Sequence, residues 1–208
     1  MYFNKTQKES IKKKIKEVEQ KSSSELVAVI TNKSDKYQFV SLLISLMITV
    51  FISGLLITFT RYSFEYIFTL QVITTLFVYM LLSYKSKLLM ILLPKKYKYE
   101  VASVYANTNF ATLGLNSTQT KQAIMFFVSV EEKYVEIITD SNIKTKIPNE
   151  KWQDIVNIFI KDVKRDDIYN GYIKAISSCS EILIEQFPIQ EDDINELSDE
   201  LIELNDNI

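Results

Sequence analysis

The chain contains no histidine and a single cysteine, Cys179. The first absence removes the commonest general base near neutral pH and the commonest imidazole ligand for a transition metal. The second excludes an internal disulfide and a cysteine-rich zinc site. Any metal held here would be a hard, oxygen-ligated ion such as Ca²⁺ or Mg²⁺. Basic charge is not in excess either, since 24 Lys and Arg face 26 Asp and Glu for a formal net charge of -2. With no basic excess and no recognisable nucleic-acid motif, nucleic acid is not an expected partner. Glycine and proline are scarce, at three residues each. The opening MYFNKTQKESIKKKIKEVEQ has charges where a signal peptide needs an apolar core, so the N-terminus is expected to begin in the cytoplasm.

Long apolar runs, by contrast, are present. Val40 to Phe59 is about 20 residues without a formal charge, a length that rises ~30 Å as a helix and matches the hydrocarbon thickness of a bilayer. A second run, Ile67 to Leu82, spans if the aromatic residues before it, Phe64 and Tyr66, join its start. Core helices of a soluble protein are the alternative, but such helices are seldom uncharged over this length. Lys33 and Lys36 precede the first run, and Lys85, Lys87, Lys95, Lys96 and Lys98 follow the second, whereas the link between them has only Arg61 with Glu65. This bias predicts a membrane hairpin with both flanks cytoplasmic and lipid as a direct partner. LLMILL, Leu88 to Leu93, is too short to cross and is expected to continue the second helix or lie along the interface.

Within the first run Ser41, Ser45, Thr49 and Ser53 recur every four residues and make a stripe of small side chains. Gln71, Thr74 and Thr75 fall close to one face of the second. Small residues let helices approach closely in lipid, so the stripe is expected to pack on the face holding Gln71 and Thr75. Hydroxyls that bond back to their own helix are the alternative.

Outside the hairpin the pattern is that of a small α/β domain. Ile11, Ile15 and Val18 mark a helix over 5–20, and ELVAVIT, Glu25 to Thr31, reads as a β-branched strand. A helix and one strand cannot bury a core alone, so they must join material beyond the hairpin, and the hairpin is an insertion. There, a helix closed by Gly114 precedes two strands, Ala123 to Val130 and Tyr134 to Thr139, joined through Glu131, Glu132 and Lys133. Helices are expected from about Glu150 to Val163 and Ile168 to Phe187, with Trp152 and Cys179 as core residues. DSNIKTK, from Asp140, reads as a loop. The last part has nine carboxylates from Glu185 to Asp206 and no lysine or arginine, and is expected to be solvated. The resulting division is 1–38 and 94–188 for the domain, 39–93 for the hairpin with its interfacial segment, and 189–208 for the acidic tail.

Three stretches, KSSSELVAVI (Lys21 to Ile30), the run from Asn109 to Val156, and FPIQEDDINEL (Phe187 to Leu197), give the chain a recognisable pattern. It resembles the TPM domain family, and more closely a bacterial branch with a two-span membrane insertion. The resemblance implies an α/β/α sandwich and brings with it reports of phosphatase activity and divalent-ion binding in relatives. Ser24 stands where the family usually has glycine, as does the pair Ser141 and Asn142, where Asn142 could supply the positive φ.

The carboxylates between Phe126 and Ile143 divide by position. Glu131 and Glu132 sit in a turn and Glu136 on a strand's polar side. Asp140 ends a strand, where open α/β sheets tend to bind ligands, and with Glu25 it is the candidate pair for Ca²⁺ or Mg²⁺. The leading expectation is a scaffold or accessory factor in membrane protein maintenance, with another membrane protein as a further partner. The alternative is a metal-assisted phosphatase acting through those carboxylates.

Overall fold

The computed structural model describes residues 2–165, 167–190 and 195–204. In chain order it begins with α1 (Lys5–Glu19), β1 (Glu25–Thr31), α2 (Gln38–Phe59), α3 (Phe64–Tyr84), α4 (Ser86–Leu92) and α5 (Lys95–Thr112). A short 3-10 turn, Leu115–Ser117, leads to β2 (Ala123–Ser129), β3 (Tyr134–Thr139), α6 (Ser141–Lys146), α7 (Asn149–Val163), α8 (Ile168–Gln186) and β4 (Ile202–Leu204). These elements form two compact units. One holds the residues up to Ser34 and those from Tyr99 onward, and the other is Asp35–Lys98.

The first unit is built on a mixed four-stranded sheet in the order β3-β2-β1-β4. β1 runs parallel to β2, Glu25 facing Ala123 and Thr31 facing Ser129, while β3 returns antiparallel to β2. β1 and β2 are buried along their whole length, as central strands covered on both faces must be. Alternation sends Leu26, Ala28, Ile30, Ile124, Phe126 and Val128 to one side, where α1, α7 and α8 cover them. Val27, Val29, Met125 and Phe127 go to the other, against Ala106 and Phe110 of α5. The architecture is an α/β/α sandwich.

Local chemistry places these layers. Asn4 and Gln7 form a reciprocal capping box at the start of α1, at 2.8 and 3.0 Å. Gly114, at φ 79°, takes the left-handed conformation that closes α5. Phe126, Phe159 and Tyr172 meet edge to face with ring centroids 5.0 to 5.4 Å apart, and the Tyr172 hydroxyl donates to the carbonyl of Val29 at 2.9 Å. Gly171 lets α8 approach α7, since a Cβ there would sit 3.1 Å from Phe159 Cδ2.

Three expectations need correction. The end of the chain is not wholly solvated, because Ile202–Leu204 forms β4, parallel to β1. Leu197, Ile202 and Leu204 pack on the α5 side of the sheet, and the acidic residues between them reach the lysines of α1, Glu203 to Lys8 and Glu200 to Lys12, each at 2.8 Å. Four tail residues, 191–194, and the last four lie outside the described residues. DSNIKTK is a helix entrance rather than a loop, with Asp140 as the cap of α6. Asn142 lies within that helix, and the non-glycine residues with positive φ are Tyr37, Lys121 and Lys133 instead.

The second unit is a helix pair with α4 following it. In α2 the buried residues are Ser41, Ser45, Thr49 and Ser53. Thr49 Oγ1 lies 3.0 Å from Thr75 Oγ1 of α3, and Gln71 and Thr74 are half-buried on the same helix. Ser41, Ser45 and Thr49 each also donate to a carbonyl of their own helix, as does Thr75 to Gln71. The large side chains face outward, Met47 at 73%, Phe51 at 68% and Phe59 at 80% exposure. Both helices are long and apolar enough to cross a membrane. The apolar run after them is a separate helix, α4.

Candidate functional site

The hairpin Phe126 to Ile143 contains two different environments for acid groups. At its turn Glu132 is buried, accepting from the Ser34 amide at 2.9 Å and from the Ser129 hydroxyl. Ser34 Oγ in turn meets Ser129 Oγ at 2.9 Å. Glu132 therefore ties the turn to the exit of β1 rather than standing in water, a role its place in a turn did not signal. Lys133 takes the left-handed conformation, φ 54°, that lets the strand reverse.

Beyond the turn, β3 is the sheet's edge. The Asp140 amide donates to Ala123 at 2.9 Å, and antiparallel pairing alternates, so Tyr134, Glu136 and Ile138 direct their backbone groups toward β2. Those of Val135, Ile137 and Thr139 point outward. A cleft of about 310 Å³ runs along this edge between α5 and α7, lined by Tyr99, Lys133 to Ile137, Asn149, Trp152, Gln153, Val156 and Ile160. A second cavity of about 190 Å³ continues past Ile138 and Thr139 to Lys144. Glu136, Ile137, Asn149 and Trp152 line both.

The polar groups of this cleft are ordered. Tyr134 donates its hydroxyl to Glu136 at 2.8 Å, Ser103 does so at 3.2 Å, and the Tyr99 ring meets Tyr134 edge-on at 5.1 Å. Burial, with the hydrogen bond to Glu136, pushes the Tyr134 phenol up, so it acts as a donor and not as a base. Trp152 is buried as the sequence led us to expect, yet its indole N–H has no partner among the described residues.

The candidate metal pair is placed at one end of the sheet but on strands that are not neighbours. Glu25 opens β1 and Asp140 follows β3, with Ala123 of β2 between them, so about two strand spacings, roughly 10 Å, separate their backbones. Glu25 turns toward the tail and accepts from the Glu196 amide at 2.8 Å, while Asp140 accepts from the Ser141 amide at 2.6 Å. The two donor sets do not converge. Among the described residues no three of Asp, Glu and Cys group as a metal-holding set.

Glu25 finds other company. Glu19, at the end of α1, lies beside Asp199 and Glu25, and with Glu25, Ser22, Ser24 and Asn195 it lines a cavity of about 240 Å³. Burial first, then the hydrogen bond to Asp199 and the charges of Asp199 and Glu25, push the Glu19 carboxyl up to about 9. The same contact holds Asp199 below its ordinary range. The two carboxyls are thus pushed in opposite directions, and the Asn195 amide donates to both, at 3.1 and 2.7 Å. No spacing in the sequence joins residues 180 positions apart, which is why this contact escaped sequence reasoning. Cys179 is buried, which pushes its thiol up to about 12 and leaves it an inert core group.

The sequence profile of the TPM domain matches residues 80–182. This chain carries a TPM domain. The fold of the BA42 protein from the psychrophilic bacterium Bizionia argentinensis, determined by NMR, is similar, with a TM-score of 0.61 at 14% identity over 98% of this chain and 97% of that one. No protein of curated function matches. The matched stretch begins within α3 and so omits β1, one of the two central strands of the sheet. The compact unit that carries the sheet is drawn from two stretches of sequence, with Asp35–Lys98 between them.

Proposed function

We propose that this is an integral protein of the cell membrane whose α2 and α3 cross the bilayer, with the TPM domain and both termini cytoplasmic. It serves as a scaffold or accessory factor in the maintenance of membrane proteins, and lipid and another membrane protein are its partners. The supporting observation is the pairing of β1 with β2 across the insertion. Strands that share one sheet lie on one side of a membrane, so an intervening segment must cross it an even number of times. The outward apolar side chains of α2 and α3 suit lipid and not water, and the lysines of both flanks set the side. Reporter fusions at Asn4, Arg61 and Ile208 test the topology. Only Arg61 should report from outside, and an external C-terminus would overturn the reading.

A metal-assisted phosphatase is the second reading. It has in its favour Asp140 Oδ2, which is buried with no partner among the described residues, and against it the separation from Glu25. If it holds, the purified protein with added Mg²⁺ or Ca²⁺ hydrolyses an aryl phosphate and Asp140→Asn abolishes the activity. An unchanged rate in that variant rejects it.

A further inference from the structure

The two edges of the sheet are finished differently. On the β1 side the chain adds its own β4. On the other side no described segment pairs with β3, and the outward amides of Val135, Ile137 and Thr139 have no partner among the described residues. Exposed edges are normally blunted by charge, proline or a bulge, because they template pairing with another chain. The outward-pairing positions of β3 are two β-branched apolar residues and a threonine, set in a cleft between two helices. The indole N–H of Trp152, a residue only 3% exposed, lacks an acceptor in the wall shared by both parts of that cleft. A buried donor left unpaired is unfavourable, so an acceptor supplied from outside would be stabilising. Lys133 lines one end and Lys144 the other.

We propose that this cleft binds an extended segment of a partner polypeptide, which joins the sheet as a further strand beside β3. The outward groups repeat at every second residue, roughly 7 Å apart, a spacing that an extended backbone reproduces. One carbonyl of the segment accepts from Trp152. Apolar side chains at alternate positions lie against Tyr99 and Tyr134 on one face and Val156 on the other, and acidic residues at the ends meet the two lysines. The inference stands on the geometry of the edge and does not require the maintenance role proposed above.

The chain has one tryptophan, so occupancy can be read directly. The full chain in detergent micelles is titrated with a capped heptapeptide that has aspartate at both ends and alternating valine and threonine between. The expected result is a saturable change in tryptophan fluorescence and at least roughly tenfold slower hydrogen exchange at Val135, Ile137 and Thr139. The same peptide N-methylated at alternate positions should do neither. Trp152→Phe, followed by exchange, should weaken binding about fivefold through one lost hydrogen bond. Equal binding of the methylated peptide, or no slowing at saturation of the fluorescence change or at millimolar peptide, overturns the proposal. So does a dimer whose edge amides are already protected without peptide, for then a second copy fills the cleft.

Discussion

The helix pairs α7–α8 and α2–α3 solve the same packing problem in opposite ways. Between α7 and α8 the buried side chains are large, with Phe159 and Tyr172 edge to face at 5.4 Å and a lone glycine, Gly171, to admit the ring. Asp162 and Lys174 close the pair with an ion pair at 2.9 Å. Between α2 and α3 the small hydroxyl residues are inside and Met47, Phe51 and Phe59 are outside. Water drives large apolar groups together, so the first arrangement is what burial favours. Lipid supplies no such drive, and in the bilayer proposed for α2 and α3 close backbone approach through small residues takes its place. On that proposal the contrast is one of solvent.

The largest test of that contrast is Tyr172→Ala. It removes the ring that three aromatic neighbours pack against and the hydrogen bond to Val29, and should cost the TPM domain about 3 to 5 kcal/mol in denaturant unfolding. A loss below ~1 kcal/mol would mean that the domain core does not depend on this cluster.

The converse change is Ser45→Leu with Thr49→Leu, which puts large side chains where α2 admits only small ones. Overpacking of this kind costs about 1 to 3 kcal/mol and should lower the thermal stability of the hairpin in detergent. Unaltered stability would show that the stripe is not a packing face.

A third test separates the units by pH. The Glu19 carboxyl is held near 9 against an ordinary value of 4.5. Raised above its unfolded value, it contributes stability that is fully present below about 4.5 and declines as pH rises toward about 9. Asp199, depressed by the same contact, loses its contribution as pH falls through its lowered value. Domain stability should thus fall between pH 5 and pH 9 on the order of that window, and Glu19→Gln, which keeps a donor for Asp199, should flatten the decline. The runs Val40 to Phe59 and Ile67 to Leu82 contain no Asp, Glu, Lys or Arg and should not follow it. An equally steep profile in the variant would assign the pH dependence elsewhere.

The smallest effect is expected for Thr49→Val. It keeps the shape and removes the 3.0 Å hydroxyl contact with Thr75, a loss of roughly 0.6 kcal/mol on the scale of hydrogen bonds between membrane helices. A cost several times larger would make that single contact, rather than the stripe, the anchor of the pair.

Much of the architecture was legible from local pattern. Alternation in ELVAVIT and the apolar stripe from Trp152 to Phe159 mark their elements because the periods of strand and helix are fixed by backbone geometry. The hairpin turn at Lys133 and the stop at Gly114 were legible for the same reason. Less was legible at the site. ELSDELIEL looked like solvated acid, and only the lysines of α1 and the open side of β1 turn its interleaved leucines and isoleucine into a strand. Glu132 looked like surface charge, and only Ser34, nearly a hundred positions away, shows otherwise. Asp140 and Glu25 were paired by their places at strand ends, a criterion blind to which strands adjoin.

By itself, then, the sequence determined most of the element types, though not α6 or β4, together with the insertion of two apolar helices into an α/β domain and the small-residue stripe, because each depends on residues close along the chain. The tertiary structure alone decided strand order, and with it that β4 closes one edge while no described segment pairs with β3 at the other. It also decided that Glu19 lies beside Asp199 and Glu25. Those outcomes depend on which distant segments come within a few ångströms, and neither hydrogen-bond pairing nor desolvation is encoded in local spacing.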